Sequence, residues 1–369
     1  MNGWFMLTMR AAALILLSIV IARQPSFAEP YLAVQKGMKC MVCHTSPSGG
    51  GKRTAYGNIY AQLELPERTL GKNTITNFWT GELFKYLAVG GDIRGGWNQI
   101  DVPGQPSSSE TDLEEFLGYV ELKLVPNYVT VYVDAKLRPN DPVVREQYVR
   151  LSTSDGRWSI KGGEFFLPFG LRLQDDNAFI RQVTGINFNT PDTGWEFGFE
   201  NRDWSAQLAV TRGTASGPEV DSGNQYSLRI SHVMPKWRIG GSLNFNDAKV
   251  GDRQMQNVFA GLRTGRIAWL AELDYIIDDG TPTGRRKLWT SLIEANIALK
   301  KGHNLKLTFE YFDPDTDVSE DEQNRISLVW EYFPLQFVQT RLGYRRYDGI
   351  PQNPAQNREQ LLEELHLLF

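Results

Sequence analysis

The stretch YVTVYVDAKL, Tyr128 to Leu137, restricts the fold more than any other feature of this chain. Val129, Val131, Val133, Ala135 and Leu137 share one face of an extended backbone, and Thr130, Asp134 and Lys136 share the other. That period of two requires a β-strand with one oily and one wet side. About sixteen such runs follow one another over residues 81–369, and the segments between them alternate between tight and long. Tight turns fall at Val125-Pro126-Asn127, Ser154-Asp155-Gly156, Asn201-Arg202-Asp203, Met234-Pro235-Lys236, Thr264-Gly265-Arg266, Lys301-Gly302-His303 and Phe333-Pro334-Leu335. Long polar loops fall near 99–112, 138–142, 170–192, 213–222, 248–252, 279–285, 314–322 and 348–357. A soluble sandwich has no reason to obey this alternation, whereas an outer-membrane barrel does. The expected fold is therefore all-β: a barrel of about sixteen strands, with tight turns and both barrel ends on the periplasmic side and long loops outside.

Compartment is read from the first residues. Arg10 precedes the apolar run Ala11 to Ala22, and Ser26-Phe27-Ala28 stands just before Glu29, the pattern of a secretory leader cleaved after Ala28. The apolar run is too short to span a bilayer as a helix, and no later run is long enough. Cleavage removes Arg10 and Arg23, so 39 basic residues become 37 against 43 acidic ones, a net charge of −6. Nucleic acid is excluded as a partner on that balance, and outer-membrane lipid is expected to surround the barrel.

The two cysteines of the chain lie together in KGMKCMVCHTSPSGGG, Lys36 to Gly51, which rules out a disulfide framework. Cys40-Met41-Val42-Cys43-His44 has the C-x-x-C-H spacing of c-type haem attachment, with Cys40 and Cys43 as thioether positions and His44 as axial ligand. A thioredoxin-like pair lacks a surrounding βαβ pattern here, and a zinc site lacks further ligands. Residues 29–80 are then a haem segment too short to bury much apolar area alone. Ser46 to Gly51 reads as a flexible turn, and KRTAYGNIYAQLEL as a short helix presenting Tyr56, Ile59, Tyr60 and Leu63.

Phase along the last strand points Leu361, Leu365, Leu367 and Phe369 outward and Leu362, Glu364, His366 and Leu368 inward. His366 is thereby the candidate for a second axial ligand, with a hydrogen-bonded rim histidine as the alternative. His232 shares a face with Tyr226, Leu228 and Ile230 and is assigned to the lipid interface, and His303 lies in a periplasmic turn. Arg341 and Arg345 on one strand face the lumen, where two roles stand open for them: lining a polar channel or pairing with a haem propionate. Asp313 to Glu322 places six carboxylates in one external loop, and Asp175, Asp176, Asp278 and Asp279 extend an acidic outer surface.

The terminal ELHLLF resembles the last strand of bacterial outer-membrane proteins, whose final aromatic the assembly machinery reads. YLAVQKGMKCMVCH with AYGNIYA resembles the outer-membrane monohaem cytochrome–porin fusions, including the iron-oxidising outer-membrane cytochromes, and GGEFFLPFG is similar to a strand motif of phosphate-selective porins. The fusion resemblance implies one covalent haem c, lodged in or at the barrel. It also implies electron transfer between an external donor or acceptor such as Fe(II) and a periplasmic cytochrome or other carrier. The alternative from another class is a diffusion porin whose haem-bearing segment is a sensor or gate. A haem enzyme acting on peroxide or nitrogen oxides is a third reading.

Overall fold

A computed structural model describes residues 29–71, 78–175, 177–186, 190–213, 223–249, 251–281 and 284–369. The expected leader, Asp176 and most of the 213–222 loop lie outside them.

Alternation produces the strands the sequence leads one to expect. A three-residue strand, β1 (Glu82–Phe84), pairs with the first barrel strand, β2 (Leu87–Asp101). The ring continues through β3 (Ser108–Val125), β4 (Val129–Arg138), β5 (Val143–Ser152), β6 (Trp158–Phe166), β7 (Pro191–Glu200), β8 (Trp204–Thr211) and β9 (Gln225–Val233). It is completed by β10 (Trp237–Asn246), β11 (Arg253–Thr264), β12 (Ile267–Asp278), β13 (Arg286–Lys300), β14 (His303–Asp313), β15 (Gln323–Tyr332), β16 (Val338–Asp348) and β17 (Glu359–Leu368). Each strand pairs antiparallel with the next, and β17 returns to β2 from Glu359↔Asp101 to Leu368↔Asp92. Closure leaves β2–β17 without a free edge, the condition for a sheet in lipid.

All seven tight turns stand where expected. The first long loop is shorter than expected, because β2 and β3 pair as far as Ile100↔Ser108. Ser108 to Asp112 is wet on both sides, so backbone pairing extends the hairpin there without any apolar signal.

Outward positions carry Leu, Val, Ile and aromatic side chains, and rings gather near the hairpin ends. Trp158 packs on Phe199, and His232 lies between Trp204 and Trp237, as the lipid-interface assignment requires. On the last strand Leu361, Leu365 and Phe369 are exposed, whereas Glu364, His366 and Leu368 are buried in the barrel. Two bulges then break the alternation. Arg94 pairs with Glu115 but Gly95 with Leu113, which turns both Glu114 and Glu115 inward. Asp134 pairs with Glu146 but Ala135 with Val144, which does the same for Arg145 and Glu146.

The longest connection, between β6 and β7, departs from the external placement expected of it. Phe165 to Gln174 are buried, and a short helix, α4 (Phe179–Thr184), follows them inside the barrel against β12 and β13. Exposing apolar residues such as Phe166, Leu167, Phe169 and Leu171 to water costs free energy, which favours the fold inward. Three wall carboxylates hold the backbone there by accepting N–H groups: Glu146 from Phe166 at 3.1 Å, Glu272 from Leu171 at 2.6 Å and Glu310 from Phe179 at 2.8 Å.

Candidate functional site

The N-terminal segment also lies inside the ring. Pro30 starts α1 (Pro30–Lys36), a position where its missing N–H costs nothing. Cys40–Cys43 forms one turn, α2, and Thr54 caps α3 (Ala55–Leu63) by accepting the Gly57 N–H at 3.1 Å. The expected helix is therefore present. A Cβ on Gly57 would collide with the Cys43 carbonyl, so glycine is what lets α3 lie on α2. Gly57→Ala should cost the segment's docking about 1–3 kcal/mol, read as faster amide exchange over residues 38–63 with barrel amides unchanged.

The Gly-rich piece expected to be flexible is instead buried against the wall. Gly51 has φ of 64°, and a Cβ there would lie 2.7 Å from the Tyr132 hydroxyl, which accepts the Lys52 N–H at 3.0 Å. Close approach explains Gly51, and Gly49 and Gly50 hold φ of 94° and 75°, a backbone region that favours glycine.

Polar contacts tie the segment to the barrel along its length. Glu29 meets Lys306 at 2.8 Å and Arg341 at 3.0 Å, Lys39 meets Glu200 at 2.6 Å, Lys52 meets Glu121 at 2.9 Å and Arg53 meets Asp92 at 3.3 Å. Wall guanidiniums donate to its carbonyls: Arg150 to Thr45 at 3.0 Å, Arg172 of the inward loop to Gly49 at 2.9 Å, Arg238 to Met38 at 2.7 Å and Arg263 to Gln35 at 2.8 Å. At the periplasmic end Glu67 meets Lys300 at 2.9 Å and accepts from Tyr332 at 2.8 Å, while its N–H donates to the Phe333 carbonyl at 2.8 Å. Such contacts fix position more than they add stability, since each charge also loses water.

Between segment and wall lies an inner chamber with about 1050 Å³ of empty space. The structure brings Cys40, Cys43, His44 and His366 to its lining, with Tyr60, Leu171 and Arg238. Cys40 and Cys43 are free thiols, and burial pushes that of Cys43 up to about 11, with the neighbouring Cys40 adding to the shift. The His44 ring has an Nδ1 without a partner, and enclosure, then the Arg53 guanidinium, lowers its pKa to about 4. His366 has both ring nitrogens engaged, Nε2 with Asp92 at 2.8 Å and Nδ1 with Gln339 at 3.0 Å. This matches the rim alternative raised for it. Hydrogen bonds from Lys300 and Tyr332 lower the Glu67 carboxyl to about 2.

These groups set an acid response. His44 resists protonation when docked, so its contribution is complete above about pH 6.5 and is lost as pH falls towards 4. Glu67 acts lower, holding above about pH 4.5 and failing towards 2. Amide protection factors across residues 29–71, corrected for the intrinsic pH dependence of exchange, should therefore fall stepwise on acidification, first near His44 and then near Glu67. Uniform protection down to pH 3 contradicts the assignment.

The wall anchors Arg150, Arg238 and Arg263, and Arg172 of the inward loop, were not singled out from sequence. Their signal was inward phase on strands, or membership of the long loop, for residues too costly to face lipid. Arg341 and Arg345 face the lumen as expected. Asp175 does not belong to an acidic outer surface: it is inside, 2.8 Å from Arg325 and 3.0 Å from Arg345. Asp315, Asp317, Asp278 and Asp279 each lie near an Arg or Lys, which weakens the expected acidic field.

Fold and lumen define a porin-type barrel, and the chain is a protein of the bacterial outer membrane. No family model and no curated protein matches it. Among solved structures it is similar to OmpT of Vibrio cholerae in trimer form, at 9% identity and TM-score 0.61 over 77% of this chain and 99% of that one. An anion-selective porin from Comamonas acidovorans gives 9% identity and TM-score 0.59 over 77% and 99%. OmpF of Salmonella typhi gives 11% identity and TM-score 0.56 over 77% and 97%.

These findings correct the sequence-based reading of a cytochrome fusion. The shared fold is that of porins, and among the described residues no group of three or more His, Cys, Asp or Glu is placed to hold a metal ion. Haem c on Cys40 and Cys43, iron on His44 and His366, and the electron conduit with its Fe(II) and periplasmic-carrier partners are withdrawn on that basis. The motif's spacing carried that reading, and spacing alone does not fix what converges in space.

Proposed function

We propose that the chain is an outer-membrane diffusion porin gated from within by residues 29–71, with Cys40, Cys43, His44 and His366 as chamber-lining residues of the gate. One observation supports this above the rest: the segment occupies the lumen through discrete ion pairs and guanidinium–carbonyl contacts distributed along its length, which can be exchanged for water one by one. A sixteen-stranded barrel is wide enough to pass water and small solutes once such a plug shifts. Solute entry into proteoliposomes should be slow for the full chain. Replacing Arg172 and Arg238 together by Gln removes two charged donors and should raise the open fraction at least about tenfold. Entry that stays slow in this variant, with the segment demonstrably loosened, contradicts gating.

A further inference from the structure

The lumen has a second chamber, an outer vestibule with about 1250 Å³ of empty space, separated from the inner one by Gln174, which lines both. Its wall is built from four adjacent strands. Lateral register runs from Arg341 on β16 through Glu364 on β17 and Gly96 on β2 to Asp112 on β3. Two lumen-facing rows further out, past Gly343 and Leu362, Arg345 faces Gln360. Arg341 and Arg345 stand on β16 and the carboxylates Asp112 and Glu114 on β3, with the bulge supplying Glu114, while Glu364 of β17 and Arg94 of β2 line the wall between them. Three interstrand spacings, roughly 14 Å between backbones, part Arg341 from Asp112, and Arg345 lies four residues further out along β16. Side chains reaching inward from each side reduce that to the length of a small molecule.

Both sides offer unused capacity. Arg345 is 8% exposed and spends one nitrogen on Asp175, yet its Nε has no partner. Gln174 is 4% exposed, and its Oε1 has no partner. Asp112 is exposed and makes no ion pair among the described residues. A buried guanidinium N–H and amide oxygen without partners are costly unless something fills the space between them.

We propose that this vestibule is a binding site for a small zwitterion, a molecule with an ammonium and a carboxylate a few ångströms apart. Its carboxylate accepts from Arg345, and its ammonium donates to Asp112 and Glu114. The inference deepens the porin reading by naming a solute class, and it rests on that reading only for its transport meaning. Binding itself is measured by calorimetric titration of the full chain in detergent, where no current or gating is involved. A failed titration and a failed gating assay are therefore separate results.

Glycylglycine is the probe, with N-acetylglycine as the anion-only arm and glycinamide as the cation-only arm. Glycylglycine should bind at least about tenfold tighter than either, the factor that loss of one charged partner brings. Asp112→Asn, at an exposed position that leaves the fold intact, should lower glycylglycine affinity by the same roughly tenfold factor and leave N-acetylglycine unchanged. Arg345→Gln should weaken both glycylglycine and N-acetylglycine. Equal binding of glycylglycine and N-acetylglycine, no binding of glycylglycine, or an unaltered affinity in Asp112→Asn each overturn the proposal.

Discussion

Deleting residues 29–71 turns the barrel into an open channel, with single-channel current in planar bilayers at least about tenfold above that of the full chain, because sixteen strands enclose an aqueous lumen once nothing fills it. Ring closure does not depend on the segment. β17 and β2 pair directly over Glu359–Leu368 and Asp101–Asp92, and the Phe369 N–H and carbonyl both bond to Gly91. The truncated chain should therefore still fold and insert. Its outer opening is still narrowed by the inward loop, which the wall carboxylates Glu146, Glu272 and Glu310 hold without help from the segment. A correctly folded truncated barrel with the current of the full chain would show that the constriction lies in that loop alone.

Arg341→Ala is the point substitution with the largest expected effect. Arg341 is shared by three carboxylates, reaching Glu29 and Glu331 at 3.0 Å and Glu364 at 3.6 Å. Glu331 is fully buried, and Tyr31 of the segment donates to it at 2.9 Å. After the substitution Lys306 is the cation left to Glu29 and Glu331, beside the neutral donors Tyr31 and Asn304 on Glu331, so two carboxyl groups share one positive charge in a place water scarcely reaches. Removing one member of such a buried network costs on the order of 3–5 kcal/mol. Much of that falls on docking of the segment, since Glu29 is the member that can leave. Trypsin should then cleave residues 29–71 readily while the barrel resists. Adding Glu29→Gln should return part of the lost protection, and a double-mutant cycle measures how much. A single variant as protected as the parent chain contradicts this account of the anchor.

Much of the barrel was legible beforehand because its physics is local. In lipid each strand must show apolar side chains on alternate positions, and the turns must be short on one side, so Tyr128 to Leu137 and the seven turns declare themselves without reference to anything distant. The inward phase of Arg341, Arg345 and His366 follows from the same rule. Where the rule is suspended, reading failed. Ser108 to Asp112 continues a strand with both sides wet, and the bulges at Glu114 and Arg145 turn consecutive charges inward.

The chain's sequence by itself determined an all-β outer-membrane barrel, the facing of its residues and a short helix after the Cys40 and Cys43 pair. Only the tertiary structure decided that the connection after β6 folds inward through Phe165 to Gln174 and α4, and that residues 29–71 fill the lumen. It alone joined Asp175 to Arg325 and Arg345, and His366 to Asp92, a partner 274 residues away. Facing depends on neighbours one or two residues along the chain, whereas occupancy of the lumen depends on charges brought together from strands far apart in sequence. C-x-x-C-H spacing states which side chains are adjacent along the backbone, but the groups that meet them across the chamber come from the closure of the ring.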